Sequence, residues 1–302
     1  MDSSSPVDTF ATRLSAQPLS AERKAEVLDF LATSRLINKG SPVVGLQQAD
    51  LQEADLREFD LDGVSLGDNG SGEGANLAKA DLRMALLNNA DLRTAHLEGA
   101  HLEFAFLTGA DLTSATLGPS SELINMLGRP VGSVQEGADL SAADLTYANL
   151  SKTDLSQTDM SPYESEVLRG GEARTKLGNA NLSGALIAEA DLSGALMDSA
   201  DLHAAILAST DLTGANLTNA NLTSALMVRA DLQNANLQNA NLTGADLTGA
   251  EGITNEELEQ RTKSLAGATM PDGQKYEDWL KSKDREANRR RRIPLPRVTV
   301  TG

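Results

Sequence analysis

Three histidines and a set of evenly spaced aspartates are the residues with chemistry to offer. The histidines are His96, His101 and His203. An imidazole acts as a base or a metal ligand only with a nucleophile, a carboxylate or a second ligand in reach. None of the three stands at a recognisable spacing from a nucleophile, and the five-residue step from His96 to His101 matches no metal motif. The chain has no Cys, which removes thiolate nucleophiles, disulfides and Cys-based metal sites. No glycine loop of the phosphate-binding type occurs. The sequence therefore offers no catalytic residue, cofactor site or metal site, and a non-enzymatic role is expected. The aspartates differ. Asp191, Asp211 and Asp231 recur every twenty residues, as do Leu186, Ile206 and Leu226. Such rows act collectively, by presenting a line of charge or of apolar surface.

The element that positions them is a repeat of five. From Ala180 to Gly249 the chain reads ANLSG, ALIAE, ADLSG, ALMDS, ADLHA and so on for fourteen pentads, each with an apolar residue at its centre. A fixed period of this kind decides the fold before any local propensity does. An α-helix turns about 100° per residue, so centres five apart drift about 140° from one another and build no apolar face. A flat strand alternates sides and would throw successive centres to opposite faces. The pattern fits a chain that turns a corner every five residues and always points the centre inward. That is an all-β solenoid. The residue before the centre is usually Asp or Asn but is apolar at Leu186, Leu196, Ile206 and Leu226, ten apart. This alternation requires an even number of sides. Four sides give twenty residues per coil and stack Leu186, Ile206 and Leu226 on one face, with Asp191, Asp211 and Asp231 on another.

Thirty-four pentads can be counted, in runs of five, nine, five and fifteen, and 30 of their centres are Leu. Ala fills 27 of the positions two before the centre, as expected if a small side chain is needed where the corner points inward. Three domains follow. Residues 1–43 are a Ser/Pro-rich tail and a helix opened by Ser20, with Val27, Leu28, Phe30 and Leu31 on its apolar side, covering the first open coil. Residues 44–250 are the solenoid, interrupted at 67–74, 118–137 and 161–174. The first insertion is a Gly-rich loop. The other two read as short helices: SSELINMLGRP in one, and in the other a capping box of Ser161, Pro162 and Glu164. Both carry apolar residues suited to covering part of the outward apolar positions Leu86, Phe106, Leu186, Ile206 and Leu226. Residues 251–302 are a helical cap, opened by a Thr254–Glu257 capping box, and a disordered basic tail from Lys281 containing Arg289–Arg292.

Net charge is −17, and the solenoid carries it: residues 44–250 hold 29 acidic against 10 basic residues. The plain role of Asp and Asn before each centre is to hydrogen-bond the turn backbone and keep the rod soluble. The sharper role is a negative rod offered to a DNA-binding surface. No apolar run reaches the ~18 residues of a membrane span, and MDSSSPVDTF has no secretory pattern, so a cytoplasmic location is expected.

These pentads resemble the pentapeptide repeat family, whose pattern is A(D/N)LXX, over about 200 residues. The resemblance implies a right-handed quadrilateral β-helix, with short helical caps in this chain. A non-enzymatic scaffold of bacterial type that binds another protein through one face of the rod is the expected function. The quinolone-resistance members of the family are acidic mimics of duplex DNA that bind DNA gyrase. The resemblance thus names gyrase as one partner class and a homodimer as one assembly to test. This chain departs from those members in its Leu centres and its helix-like C-terminal cap. The candidate interaction surface is Leu186, Ile206 and Leu226, then Asp191, Asp211 and Asp231.

Overall fold

The computed structural model describes Ser20, helical residues between 23 and 31, Leu46, Gly72 and four longer stretches. These are 49–67, 74–118, 138–164 (without 144, 146, 147, 151, 152, 154, 156 and 157) and 172–291. Each pentad is one side of a four-sided coil. The residue before the centre forms a parallel bridge with its equivalent one coil on, as in Asp191 with Asp211 and Asp211 with Asp231. Two bonds lock each such step: Leu192 N–H donates to Asp211 O at 2.8 Å, and Asp211 N–H donates to Ala190 O at 3.0 Å.

The corners explain why the period is five. Ala195 N–H donates to Leu192 O at 3.1 Å, closing a four-residue turn, and the same bond recurs at corner after corner. At the described corners other than that after Met160, where Pro162 stands, the residue two after the centre has positive φ. That is the signature of a type II turn, whose third residue is left-handed. Glycine fills only some of these positions. Glu189 (φ 61°), Arg229 (φ 59°) and even Phe104 (φ 59°) adopt the left-handed region too. Packing of the coil on both sides outweighs a backbone cost of about 1–2 kcal/mol at each.

Inside, every described centre is buried, and so is the Ala that precedes it by two. Four of the seven positions where Ala is replaced carry Thr, and each Thr hydroxyl is satisfied. Thr153 donates to Leu112 O (2.7 Å), Thr158 to Leu155 O (2.8 Å), Thr175 to Leu140 O (3.0 Å) and Thr210 to Ile187 O (2.7 Å). Burying a hydroxyl costs free energy only when it is left unpaired, so Thr is admitted where it reaches a carbonyl.

The insertions leave the coil without shifting its register. Ala75 N–H donates to Leu66 O (2.7 Å) and Ala138 N–H to Leu117 O (2.9 Å), the ordinary corner bond across each gap. Residues 119–137, including the expected SSELINMLGRP helix, lie outside the described residues. The third insertion corrects an expectation. Instead of a helix capped by Ser161, it leaves the coil as β1 (Tyr163–Glu164), paired antiparallel with β2 (Glu172–Ala173). A strand pair closes the ends of an arm side by side, so the chain re-enters the coil where it left.

Both ends of the core are covered. On the N-terminal side Ser20 caps helical residues whose Leu28 and Leu31 are buried. Lys24 is buried there and donates to Gln52 O (3.1 Å) on the first coil. On the C-terminal side α1 (Asn255–Arg261) opens with the Thr254–Glu257 capping box and buries Leu258. A second helix, α2 (Tyr276–Arg291), follows. It corrects the expected disordered tail over residues 281–291, where the helix runs on through a stretch rich in Lys, Arg, Glu and Ala, all good helix formers; residues 292–302 lie outside the described residues. Trp279 packs on Tyr276 with ring centroids 6.1 Å apart, and Lys283 lies 4.7 Å over the indole.

Candidate interaction faces and an acidic–histidine cluster

The bridges sort the outward residues into four ladders, one per side. One ladder runs Asp55, Asp81, His101, Asp139, Asp159, Asp191, Asp211, Asp231, Glu251 without a break. Eight of its nine rungs are acidic, and it passes through all three insertions in register. The ladder on the opposite side runs Ser65, Asp91, Asp111, Asn149, Asn181, Asp201, Asn221, Asn241, Ser264. The remaining two sides carry the apolar positions. Leu186, Ile206 and Leu226 stack on one, and Leu86 and Phe106 on the other, where Leu196 also lies. Sequence reasoning grouped these as one stripe. The coils place them on opposite faces, because each insertion is absorbed at a corner without skipping a side, so the fourteen pentads from Leu86 to Leu186 make three and a half coils.

Ile206 and Leu226 are 37% and 44% exposed, so among the described residues nothing covers them. They flank the acidic ladder directly: Ile206 and Asp211 sit on adjacent sides of one coil, as do Leu226 and Asp231.

The carboxylates have a local structural task. Asp191 Oδ1 accepts from Ser193 N (2.9 Å), Asp211 Oδ1 from Thr213 N (2.8 Å) and Asp231 Oδ1 from Gln233 N (2.9 Å). Asn does the same elsewhere: Asn181 Oδ1 accepts from Ser183 N at 3.0 Å. Asn also bonds between coils, as in Asn221 Nδ2 to Asp201 Oδ1 (2.8 Å) and Asn181 Nδ2 to Asn149 Oδ1 (3.2 Å). An ionised Asp has no proton to donate. A column of Asp at the ~4.8 Å coil spacing therefore forgoes those bonds and adds repulsion of roughly 1 kcal/mol per neighbouring pair in water. The fold needs a turn acceptor at each rung and does not need it to be charged.

The ladder is not uniform in charge. At its N-terminal end the acids are neutralised. Arg57 forks Asp55 (2.8 and 2.6 Å), and Arg83 forks Asp81 (2.8 and 2.6 Å). Arg57 holds the Asp55 carboxyl below the usual carboxylate range. Burial pulls Asp81 up, but the hydrogen bonds and charge of Arg83 outweigh it and its pKa is also lowered. From Asp139 to Glu251 the residues two after each rung are Ser141, Ser161, Ser193, Thr213, Gln233 and Ile253, and none is basic.

Between these halves sits the one non-acidic rung, His101. Its Nδ1 lies 3.4 Å from Glu103 Oε1 on the same side of the same coil. Asp139 stands opposite His101 on the next coil. Donor atoms of His101, Glu103 and Asp139 all lie within 4.8 Å of one another. Glu103 Oε2 is buried with no hydrogen-bond partner. Burial, and then the Asp139 charge, push the Glu103 carboxyl up. A short-range motif search misses this group because Asp139 comes from beyond an insertion. His96 forms the same pair with Glu98, Nδ1 to Oε1 at 3.2 Å, but the rung opposite it is Thr116. His203 borders a polar groove of about 740 Å³ lined also by Asn221, Asn241 and Lys263. No helix among the described residues is long and apolar enough to cross a membrane.

A family model described as "Pentapeptide repeats" matches eight copies, over residues 75–113, 136–161, 175–214 and 215–251. No curated protein matches the chain. Among solved structures, the chain is similar to HetL, a pentapeptide repeat protein involved in heterocyst differentiation regulation in the cyanobacterium Nostoc. Identity is 33% over 76% of this chain and 92% of that one, with a TM-score of 0.44. It is similar to Rfr23 from the cyanobacterium Cyanothece at 33% identity over 43% of this chain and 85% of that one (TM-score 0.29). It is also similar to QnrB1, a plasmid-mediated fluoroquinolone resistance protein, at 16% identity over 76% and 97% of the two chains (TM-score 0.31). With its thirty-four pentads, four-sided coils, eight matched repeat copies and 33% identity across nearly the whole of HetL, the chain belongs to the pentapeptide repeat family of right-handed quadrilateral β-helices.

Proposed function

We propose that this chain is a rigid, non-enzymatic scaffold that binds a protein partner along one edge of the rod. The edge joins the Leu186–Ile206–Leu226 stripe to the Asp191–Asp211–Asp231 ladder. The observation that carries this reading is the exposure of Ile206 and Leu226 beside an acidic column. Exposed apolar residues in a row mark interaction sites, and the adjoining charge selects a partner segment with an apolar centre and basic flanks. Rigidity adds to this, since a preformed surface loses little entropy on binding. The test is affinity capture from a lysate with the wild-type chain and with Ile206→Asp, checking the fold of both by circular dichroism. A partner held by the wild type and lost by the variant supports the edge. Equal retention by a folded variant removes it.

A second reading rests on the ladder itself. The row of carboxylates from Asp139 to Glu251, beyond what the turns need, suits a surface that normally grips nucleic acid, as in an acidic DNA mimic acting on gyrase. Such binding weakens as salt rises. A gyrase supercoiling assay with and without quinolone decides it, and no effect at micromolar protein removes this reading.

A further inference from the structure

We propose that His101, Glu103 and Asp139 form a binding site for one divalent transition-metal ion of the zinc type. The three residues offer one imidazole nitrogen and two carboxylates, a donor set that suits zinc. Tetrahedral bonds of about 2.0–2.1 Å place neighbouring donors about 3.3 Å apart. His101 Nδ1 and Glu103 Oε1 already stand at 3.4 Å. The third donor comes from the adjacent coil, where the backbone fixes it: Leu102 N–H donates to Asp139 O (2.7 Å) and Asp139 N–H to Ala100 O (2.9 Å). The three donor atoms lie within 4.8 Å of one another, about 1.5 Å wider than a tetrahedral zinc shell at its widest, a difference of the size that rotation of the His101 and Glu103 side chains covers. A fourth position stays open for water or a partner's donor.

Two features point to a cation at this place. Glu103 is the first. Its side chain is only 12% exposed and its Oε2 is buried without a partner, next to a second carboxylate. An unpaired buried carboxylate oxygen costs free energy, and a bound cation removes that cost. Arg83, the cation on the coil below, is already forked onto Asp81. The second is the support given to Asp139. Ser141, itself buried, donates both its backbone N–H (2.9 Å) and its hydroxyl to Asp139 Oδ1. That fixes the carboxylate and leaves Oδ2 for an ion, the arrangement by which outer partners orient metal ligands.

The same coil holds its own control. His96 and Glu98 repeat the pair on the next side, but Thr116 occupies the rung where Asp139 would stand. The difference between the two pairs is the third ligand.

The full chain, freed of any polyhistidine tag and of metal by chelation, is titrated with zinc sulfate in a calorimeter. One zinc per chain is expected, with affinity weakened about tenfold or more by His101→Ala and by Glu103→Gln and unchanged by His96→Ala. Zinc should raise the Tm of the wild type and of His96→Ala but not of His101→Ala. His101 is exposed, so its variant is expected to fold, and circular dichroism checks this. No zinc binding by the wild type, or equal binding by folded His101→Ala and Glu103→Gln, overturns the site. Equal loss in His96→Ala and His101→Ala also overturns it, because a third ligand would then be irrelevant.

Discussion

His101 and Asp139 form a parallel pair on successive coils although thirty-eight residues separate them, against twenty for an uninterrupted coil. The eighteen extra residues are absorbed at one corner. Across that gap Ala138 N–H donates to Leu117 O at 2.9 Å, the bond that Ala110 and Leu107 make at 3.0 Å where nothing is inserted. The coil therefore does not depend on the insertion to find its register.

Deleting residues 119–136 should leave a folded rod. The deletion joins Gly118 to Gly137 and yields TLGGADL, a regular pentad junction with Gly at the left-handed corner position. Shortening a loop lowers its closure entropy by well under about 1 kcal/mol per halving. Tm should stay the same or rise slightly in a thermal melt followed by circular dichroism. A broad or lost transition would show that the insertion holds the coil together.

Leu217→Ala should cost about 3 kcal/mol in denaturant unfolding. Leu217 is fully buried between equivalent centres, and a rod with one file of side chains per side has little room to collapse around the cavity. Asn216→Ala, one residue away, removes only a turn acceptor for Thr218 N (3.2 Å) and its hydroxyl (2.6 Å) and should cost about 1 kcal/mol. Similar losses in the two variants would contradict the inward–outward assignment.

The coil, its centres and its Ala positions were legible in the sequence because each rests on one local rule repeated thirty-four times. Departures that follow the same rule were legible too, as in the stacking of Leu186, Ile206 and Leu226. What depends on the path of an insertion was not. The opposite placement of Leu86 and Leu186, and the meeting of His101 with Asp139, follow from each insertion leaving and rejoining the coil at one corner with no side skipped, which the inserted residues do not themselves encode. The strand pair at Tyr163 and Ala173 was read as a helix start because Ser161, Pro162 and Glu164 have the spacing of a capping box. In the fold, Asp159 Oδ1 takes the Ser161 N–H (2.9 Å) as an ordinary corner of the coil. Local capping chemistry lost to the register of the repeat.

Two left-handed glycines, Gly214 at a corner and Gly252 just after the last rung, should differ in what they tolerate. A Cβ at Gly214 (φ 67°) meets nothing within 4 Å, so Gly214→Ala should cost only the left-handed backbone penalty of about 1 kcal/mol. A Cβ at Gly252 (φ 74°) would lie 2.3 Å from Gln233 N, backbone that cannot move without breaking the last coil. Gly252→Ala should therefore destabilise by more than Gly214→Ala in the same denaturant experiment. Equal costs would mean that the end of the rod yields freely.

Glu103→Gln, with metal removed, should raise Tm at pH 7, and the gain should disappear in acid. Burial first, and then the Asp139 charge, raise the folded pKa of Glu103 above its unfolded value. A carboxylate with a raised folded pKa binds more protons folded than unfolded, so the folded state loses stability as pH rises from the unfolded pKa through the folded one. Above that window the full penalty is present at Glu103 and absent in the amide. Well below the unfolded pKa of about 4.3, where the carboxyl is protonated in both states, wild type and variant should melt alike. Arg-paired Asp55 and Asp81 have lowered folded pKa values and act in the opposite sense. Their contribution is present above the unfolded pKa and is lost as pH falls through the folded one, in both proteins equally, so it cancels in the comparison. Saturating zinc should reverse the order at pH 7, because the wild type gains the ion that the amide binds poorly. A variant that melts below the metal-free wild type at pH 7 would show that the Glu103 charge is already compensated in the fold.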